Sequence, residues 1–411
     1  MRSFLTQPLY EKFASLIKHT EDAKFDLISP ICMVILGVMS IFYIYSAQSY
    51  THGHQWMMQI LWLFIGFIIY VLISSVNYKI YLENAHIIYT ICILMLLLIW
   101  SPLGMKVYGA QRWLNFKVFS VQASDPAKIG TLIFGAAILA RSQIINFKSS
   151  LKVVGKVMGA FFLPIVLIFL QPDLGSCLVF PPMLFALLYV SKLSKRFFIT
   201  TFGIFALLIG IVAWDVYGYA KFIQSNPESK HTGIYQTQAI LPLKDYQRKR
   251  ILTFVAPHII DPKGIGDNWN LRQSLISIGT GGLLGKGHNN GTQAKLGYLP
   301  NSVAPNDFIF SVLAEERGFM GGFFVIFLFA ILISNGIKIA TLARDRFGVF
   351  LAIGISTIFM VHVFINIGMT IGIMPITGIP LPFLSYGGSF ILSCCILQGL
   401  IQSIYRFRRN A

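Results

Sequence analysis

Charge is scarce in this chain of 411 residues: 12% are Asp, Glu, Lys or Arg, where a soluble domain carries about 25%. That scarcity excludes a disordered protein and argues against an ordinary cytosolic enzyme. Acidic residues are the scarcest, 16 against 33 basic ones, which leaves a net charge of +17. Such an excess points to an anionic partner: nucleic acid, an anionic membrane surface or an acidic substrate. Cysteine is also rare. Cys32, Cys92, Cys177, Cys394 and Cys395 all lie inside apolar runs and read as small buried hydrophobes, not as a disulfide framework or metal site. No 20–50-residue repeat and no low-complexity tract is present. There is no signal peptide either: the first apolar run, about 28–47, is too long for an h-region and lacks a cleavage site.

Apolar sequence is what the chain has instead. Hydrophobic residues make up 55% and aromatics 14%, and the mean hydropathy is +0.68. The apolar residues fall into blocks near the roughly 20-residue length that crosses a bilayer core. The blocks lie at about 28–47, 57–76, 84–104, 127–142, 157–171, 174–192, 197–216, 308–336, 347–372 and 383–404. The expected fold is all-α, a polytopic membrane domain of ten transmembrane helices over 28–404. A segment at 1–27 and a tail at 405–411 would be cytoplasmic, and a large extracytoplasmic loop would occupy 217–306. More than half of the 33 basic residues fall in the two termini and the alternating loops on their side. By the positive-inside rule both termini are then cytoplasmic.

Two outer loops break that rule. The loop at about 105–126 has Lys106, Arg112 and Lys117, with Lys128 just beyond, and the loop at 217–306 carries ten Lys or Arg. A loop that long escapes the rule, so a tolerated excess and an anion-holding surface both fit. The segment Gly279–Gly287 resembles a phosphate loop but lacks the glycine and hydroxyl positions of a Walker A. Lys286 among glycines can still meet a phosphate without that motif. Asp307, at the start of the eighth block, reads either as a helix N-cap or as a general base near the membrane. Glu315, Glu316 and Arg317 lie deeper and should pair with one another or face the bundle interior. Pro375, Pro380 and Pro382 precede Ser385-Tyr386-Gly387-Gly388-Ser389. That irregular backbone fits a cavity wall or close helix packing. His362 and Asn366 read as interhelical hydrogen-bonding groups.

Taken together these pieces resemble the SEDS family, the RodA/FtsW/SpoVE-type peptidoglycan glycosyltransferases. The resemblance rests on Phe383-Leu384-Ser385-Tyr386-Gly387-Gly388-Ser389 with Asn366-Ile367-Gly368-Met369 before it. It extends through Gly109–Trp113, Gln122-Ala123-Ser124-Asp125 with Lys128, and Gln171-Pro172-Asp173-Leu174-Gly175-Ser176. It continues through Gln273-Ser274 to Gly287, Gly291-Thr292-Gln293, Leu299-Pro300, Asp307-Phe308-Ile309-Phe310 and Glu315-Glu316. Gly285-Lys286-Gly287 followed by Gly291-Thr292-Gln293 looks more like the RodA elongation branch than the FtsW division branch.

The resemblance implies a polymerase of lipid II that releases undecaprenyl diphosphate, with Asp307 as the essential carboxylate. Arg112, Lys128, Arg250 and Lys286 are the basic groups proposed for the diphosphate. Asp125, Gln273, Ser274, Thr292, Gln293, Ser385 and Tyr386 complete the substrate-binding set. The implied partner is a class B penicillin-binding protein, a transpeptidase, within the elongation machinery. A divalent cation, Mg or Mn, would suit a diphosphate, although no ligand cluster stands out. The chain departs from the family pattern before Asp307. Asn301–Asn306 is two residues longer than usual, with Pro305-Asn306 in place of His-Thr, and Asp125 replaces a Glu. Asn306 is expected to cap the next helix as the Thr would. A lipid II flippase and a non-catalytic scaffold are the alternatives; the absence of paired inverted broken spans weighs against a transporter.

Overall fold

The computed structural model describes residues 24–408, save the stretches 108–109, 118, 143–146, 172, 192, 194, 227–234, 236–240, 242, 244, 262–265, 267 and 301. Most of the segment at 1–27, the chain end from 409, Pro172 and Asn301 therefore lie outside the described residues.

Each apolar block coincides with helix. In chain order the helices are α1 (Ile28–Gln48), α2 (Gln55–Ser75), α3 (Lys79–Glu83), α4 (Ala85–Leu98), α5 (Ser124–Arg141), α6 (Phe147–Leu170), α7 (Leu174–Cys177), α8 (Phe180–Val190) and α9 (Lys195–Ser225). After the large loop come α14 (Ile309–Leu342), α15 (Arg346–Thr370) and α16 (Gly388–Phe407). Among the described residues seven helices are long and apolar enough to cross a membrane, while the Ala85–Leu98 and Leu174–Val190 segments are shorter apolar ones. Their outward faces carry bare Leu, Ile and Phe, for example Phe64, Leu72, Phe162, Phe202 and Leu207. In water such a surface would be costly, but lipid is as apolar as those side chains.

The all-α expectation needs one correction. The third apolar block stops at Leu98, and the chain then forms an antiparallel three-stranded sheet, β1 (Gly104–Val107), β2 (Ala110–Asn115) and β3 (Ser120–Gln122). Trp113 pairs with Gln122 and Leu114 with Val121. A strand suffices here because the backbone lies beyond the hydrophobic run, where a short sheet can hydrogen-bond itself. The large loop is also more ordered than a bare connection. The helix before it runs on to Ser225, and the loop folds α10 (Asp245–Val255), α11 (Pro257–Ile260), α12 (Trp269–Gly281) and α13 (Thr292–Lys295).

The core is built by α14, α15 and α16. α15 and α16 are the most buried of the long apolar helices. α16 packs along α2, α15 against α14, α5 and α8, and α14 against α1 and α12. α14 is broken at Gly318, whose φ of 65° and ψ of −161° are not helical. Residues 371–387 between α15 and α16 have no regular structure. That segment turns back on the end of α15: the Ile373 and Met374 amides donate to the Gly368 carbonyl, and Asn366 donates to the Ile379 carbonyl.

Candidate active site

Asp307 stands at the end of a run of turns that leads into α14. Neither of its expected capping duties is present. The N-cap of α14 is Phe308 and accepts no side-chain cap bond, and the Asn306 amide donates instead to the Ser302 carbonyl at 2.9 Å. The half-buried Asp307 carboxyl makes no hydrogen bond or ion pair within 4 Å among the described residues. Its backbone, by contrast, is tied down. Asn366 on α15 donates to the Asp307 carbonyl at 2.9 Å and to the Ile379 carbonyl at 2.7 Å. Just before Asp307, the Ser385 hydroxyl donates to the Asn306 carbonyl at 2.5 Å and the Tyr386 amide to the Pro305 carbonyl at 2.9 Å. Burial pushes the Asp307 carboxyl up to about 6; the charges of Arg250 and Arg112 oppose that rise and Asp173 adds to it. A carboxyl poised there can take a proton near neutral pH.

Asp173 organises the neighbouring polar cluster. It caps α7 by accepting the Ser176 amide at 3.2 Å. Its carboxylate also accepts from the Ser176 hydroxyl at 2.9 Å, the Gln122 amide at 3.0 Å and the Ser124 hydroxyl at 3.4 Å. The Arg112 guanidinium of β2 reaches it at 3.8 Å. α7 approaches the irregular segment closely because residue 175 is glycine: a Cβ there would sit 2.7 Å from the Thr377 carbonyl. The next residue, Gly378, has a φ of 75°, and a Cβ on it would lie 3.5 Å from the Asp307 carboxylate. Two glycines thus bring the α7 cap and Asp307 to the same short segment.

Behind this cluster Lys128 pairs with Asp125 at 2.8 Å, both deeply buried on α5. The Ser389 hydroxyl donates to Asp125 at 3.5 Å and accepts the Gln122 amide at 3.2 Å. Lys128 also lies 5.9 Å from the Phe390 ring centroid. The His362 ring, 5.0 Å from that of Phe390, places Nδ1 3.2 Å from the Pro380 carbonyl. His362 and Asn366 do not bond between helices as expected; both bond from α15 to non-helical backbone, His362 to Pro380 and Asn366 to Asp307 and Ile379.

A second cluster gathers the remaining candidates. Lys286 is ion-paired to buried Glu315 at 2.6 Å and donates to the Thr292 hydroxyl at 2.8 Å. The same carboxylate accepts the Thr292 amide and hydroxyl, both at 2.8 Å, and the Gln293 amide at 3.2 Å. Glu316 accepts from the Ser46 hydroxyl and faces His288 at 3.0 Å. The loop backbone joins the broken helix directly: the Lys286 and Gly287 amides donate to the carbonyls of Glu315 and Glu316, and the Phe319 and Met320 amides to those of Gly282 and Leu283. Lys286, Thr292 and Gln293 therefore lie on Glu315, not among the groups whose charge reaches Asp307. Glu315 and Glu316 pair as expected, though with loop residues instead of each other. Ser274 on α12 bonds the Ser311 hydroxyl at 2.6 Å and the Thr370 carbonyl at 2.7 Å. Gln273 is buried on the same helix.

Arg112 and Arg250 thus act on Asp307 through their charge, Ser385 and Tyr386 bond the two residues before it, and Asp125 and Lys128 join the Asp173 cluster through Ser389 and Gln122. Lys286, Thr292, Gln293 and Ser274 hold the loop to the helices, and Gln273 is buried beside Ser274 on α12. Sequence reasoning placed Asp173 in a motif but not in the site. A lone carboxylate in a tight turn between two apolar blocks was the available signal. No group of three or more His, Cys, Asp or Glu among the described residues is arranged to hold a metal ion.

Comparison with known proteins supplies the family. The family model FTSW_RODA_SPOVE, described as "Cell cycle protein", matches residues 25–410. The peptidoglycan glycosyltransferase MrdB of Escherichia coli K12 is 33% identical over 351 residues, covering 84% of each chain. The peptidoglycan glycosyltransferase RodA of Treponema pallidum is 31% identical over 92% of this chain and 97% of its own. Among solved structures, a chain from a study of how a peptidoglycan synthase complex coordinates polymerization and crosslinking superposes with a TM-score of 0.73 at 22% identity, covering 94% of this chain and 99% of that one. The rod shape determining protein RodA of Thermus thermophilus superposes with a TM-score of 0.64 at 20% identity, over 95% and 99%. With the family model spanning nearly the whole chain and relatives above 30% identity at that coverage, the chain belongs to the FtsW/RodA/SpoVE family of multi-pass membrane proteins.

Proposed function

We propose that this chain is a peptidoglycan glycosyltransferase that polymerises lipid II, with Asp307 as general base. One observation supports the assignment of the base: among the described residues the Asp307 carboxyl has no bonded partner, while Asn366 holds its carbonyl and Ser385 and Tyr386 hold those of Asn306 and Pro305 just before it. In the reaction the 4-hydroxyl oxygen of one lipid II attacks the anomeric carbon of another. Asp307 takes the hydroxyl proton as the new C–O bond forms. The sugar–phosphate bond breaks, its electron pair leaves on the diphosphate, and an α-linked donor gives a β-1,4 link by inversion. Arg112 and Arg250, whose charges already act on Asp307, stabilise the anion that develops. The Asp125–Lys128 pair supports this wall from behind. A divalent cation, Mg or Mn, would bridge the diphosphate oxygens and add to the charge that Arg112 and Arg250 supply.

The ten helical blocks are ten spans, with both termini on the cytoplasmic side of the inner membrane. The ten-span domain covers 28–404, and the segment 217–306 is its large extracytoplasmic loop. The relatives named MrdB and RodA support a role in elongation and rod shape. The fold shared with a chain of a synthase complex supports a transpeptidase partner. The test is gel analysis of glycan chains made from lipid II by purified wild type and Asp307→Asn, each with that partner. Polymer from wild type and almost none from the variant is expected; equal polymer from both would remove Asp307 as base.

A further inference from the structure

In the turn between α12 and α13, Leu284 is 76% exposed and Leu283 65%. No other large hydrophobic side chain among the described residues is as exposed as Leu284. The turn is nonetheless held firmly. The Gly285 amide donates to the Gly281 carbonyl at 2.9 Å, and the Phe319 and Met320 amides donate to the Gly282 and Leu283 carbonyls at 2.8 and 3.1 Å. Lys286, next in sequence, turns to Glu315. Two leucines fixed in the open are costly in water, because removing apolar surface from water is what drives burial. The position of the turn along α14 says what it faces. α12 runs beside the first turns of α14 in the same direction: Ser274 meets Ser311, and the Gly282 and Leu283 carbonyls meet Phe319 and Met320 further on. After Arg317 no charged residue occurs in α14 before Lys338, an interval of about 20 residues, the length that crosses a bilayer core. The edge of that core on the loop side therefore falls at Gly318, and the turn stands against it. Arg317, exposed at that level, suits a headgroup boundary. Below the turn Phe319, Met320 and Phe323 are exposed on α14, and above it Leu275 and Ile276 are exposed on α12. Leu283 and Leu284 thus continue a surface whose place is in lipid.

We propose that the turn Gly282–Gly285 is a membrane anchor of the large loop: Leu283 and Leu284 insert among the acyl chains of the leaflet on the loop's side. The occupant is lipid and not a partner protein, because the two leucines extend the outward face of a bilayer-crossing helix at the depth where its uncharged stretch begins. The anchor fixes the height of the loop on the bilayer. The Lys286–Glu315 pair and the Gly287 amide bond to the Glu316 carbonyl carry that height into the rest of the loop. The inference uses the multi-pass membrane fold alone and stands or falls independently of the proposed reaction.

The experiment uses the full-length protein in phospholipid nanodiscs, with a fluorophore on Leu284→Cys and, separately, on Leu283→Cys. Phe323→Cys is the lipid reference, and Ser225→Cys, exposed at the end of α9, is the water reference. The unsubstituted protein carried through the same labelling gives the background from the native cysteines, of which all but Cys177 are buried. Quenching is measured with a phospholipid bearing a nitroxide high on its acyl chain and with aqueous iodide. Melting curves identify any variant that fails to fold, leaving the other leucine position to decide. The labels at 283 and 284 should be quenched at least threefold more by the lipid nitroxide than the label at 225, and at least threefold less by iodide. Iodide quenching equal to that at 225 would place the turn in water, and quenching by neither would mean that protein covers it; either result overturns the anchor. A label at 323 that the lipid does not quench would overturn the boundary on which the inference rests.

Discussion

Asn366 donates one amide hydrogen to the Asp307 carbonyl at 2.9 Å and the other to the Ile379 carbonyl at 2.7 Å. A single fully buried side chain on α15 thereby ties Asp307 to the irregular segment before α16. Asn366→Ala leaves two carbonyls without this donor, each worth about 1–3 kcal/mol if it stays buried. The expected result is a fall in kcat of at least tenfold with the Asp307 carboxyl still present. Steady-state kinetics on lipid II, with a melting curve to confirm folding, measures it; unchanged kcat would show that Asn366 does not position the base.

The pH profile follows from the same carboxyl. Asp307 has its pKa raised to about 6, chiefly by burial. A base is active when deprotonated, so kcat/KM should rise with pH and level off above about 6. The stability sign is opposite. The folded state holds the proton more tightly than the unfolded one, so stability falls as pH rises from about 4 to 6. Asp307→Asn removes that loss, and thermal denaturation at pH 7.5 should find the inactive variant at least as stable as wild type. A variant markedly less stable at that pH would contradict the raised pKa.

Lys286 tests the division of labour between the two clusters. Its ammonium pairs with a Glu315 side chain that is 1% exposed. Removing one partner of such a pair leaves a buried charge, which costs up to about 3–5 kcal/mol, less here because Lys286 is partly solvated. Lys286→Met should lower the melting temperature by several degrees and change KM for lipid II little. The reverse pattern, an unchanged melting point with a raised KM, would return Lys286 to the substrate.

Gly318 holds the break in α14. A Cβ there would lie 2.5 Å from the Gly285 amide nitrogen and 2.6 Å from the Leu283 carbonyl carbon, at a φ of 65°. Gly318→Ala should therefore cost about 3 kcal/mol or more through strain and displaced loop bonds. Expression level and melting temperature report it. Gly203, on outward-facing α9 with open space around its Cβ direction, is the control, and alanine there should be neutral or stabilising.

Much of the fold was legible because bilayer-spanning helices announce themselves one segment at a time. Every apolar block from 28–47 to 383–404 met a helix, since hydrophobic length is a local property. What was missed lay outside the apolar runs. The sheet at 104–122 and the loop helices at 245–255 and 269–281 sit where hydropathy carries no period strong enough to read. The extra length of α9 to Ser225 was hidden for a related reason, because its last turns mix Lys221 and Gln224 with apolar residues.

The sequence alone determined the membrane class and the order of the apolar helices, and it singled out the basic loops at 105–126 and 217–306 and the Asp307 carboxylate as candidates. It could not assign partners among the charges. Lys286 among glycines looked like an anion site, and only the folded chain put Glu315 against it, 29 residues away. Asp173 became a hub only when the start of α7 met β2, β3 and the start of α5, which bring Arg112, Gln122 and Ser124 to it. The Asp307 carboxyl is free of a cap because Phe308 begins the helix instead. Hydrophobic burial depends on composition along the chain, whereas a charge is defined by what stands a few ångströms from it, and that neighbour comes from the tertiary structure.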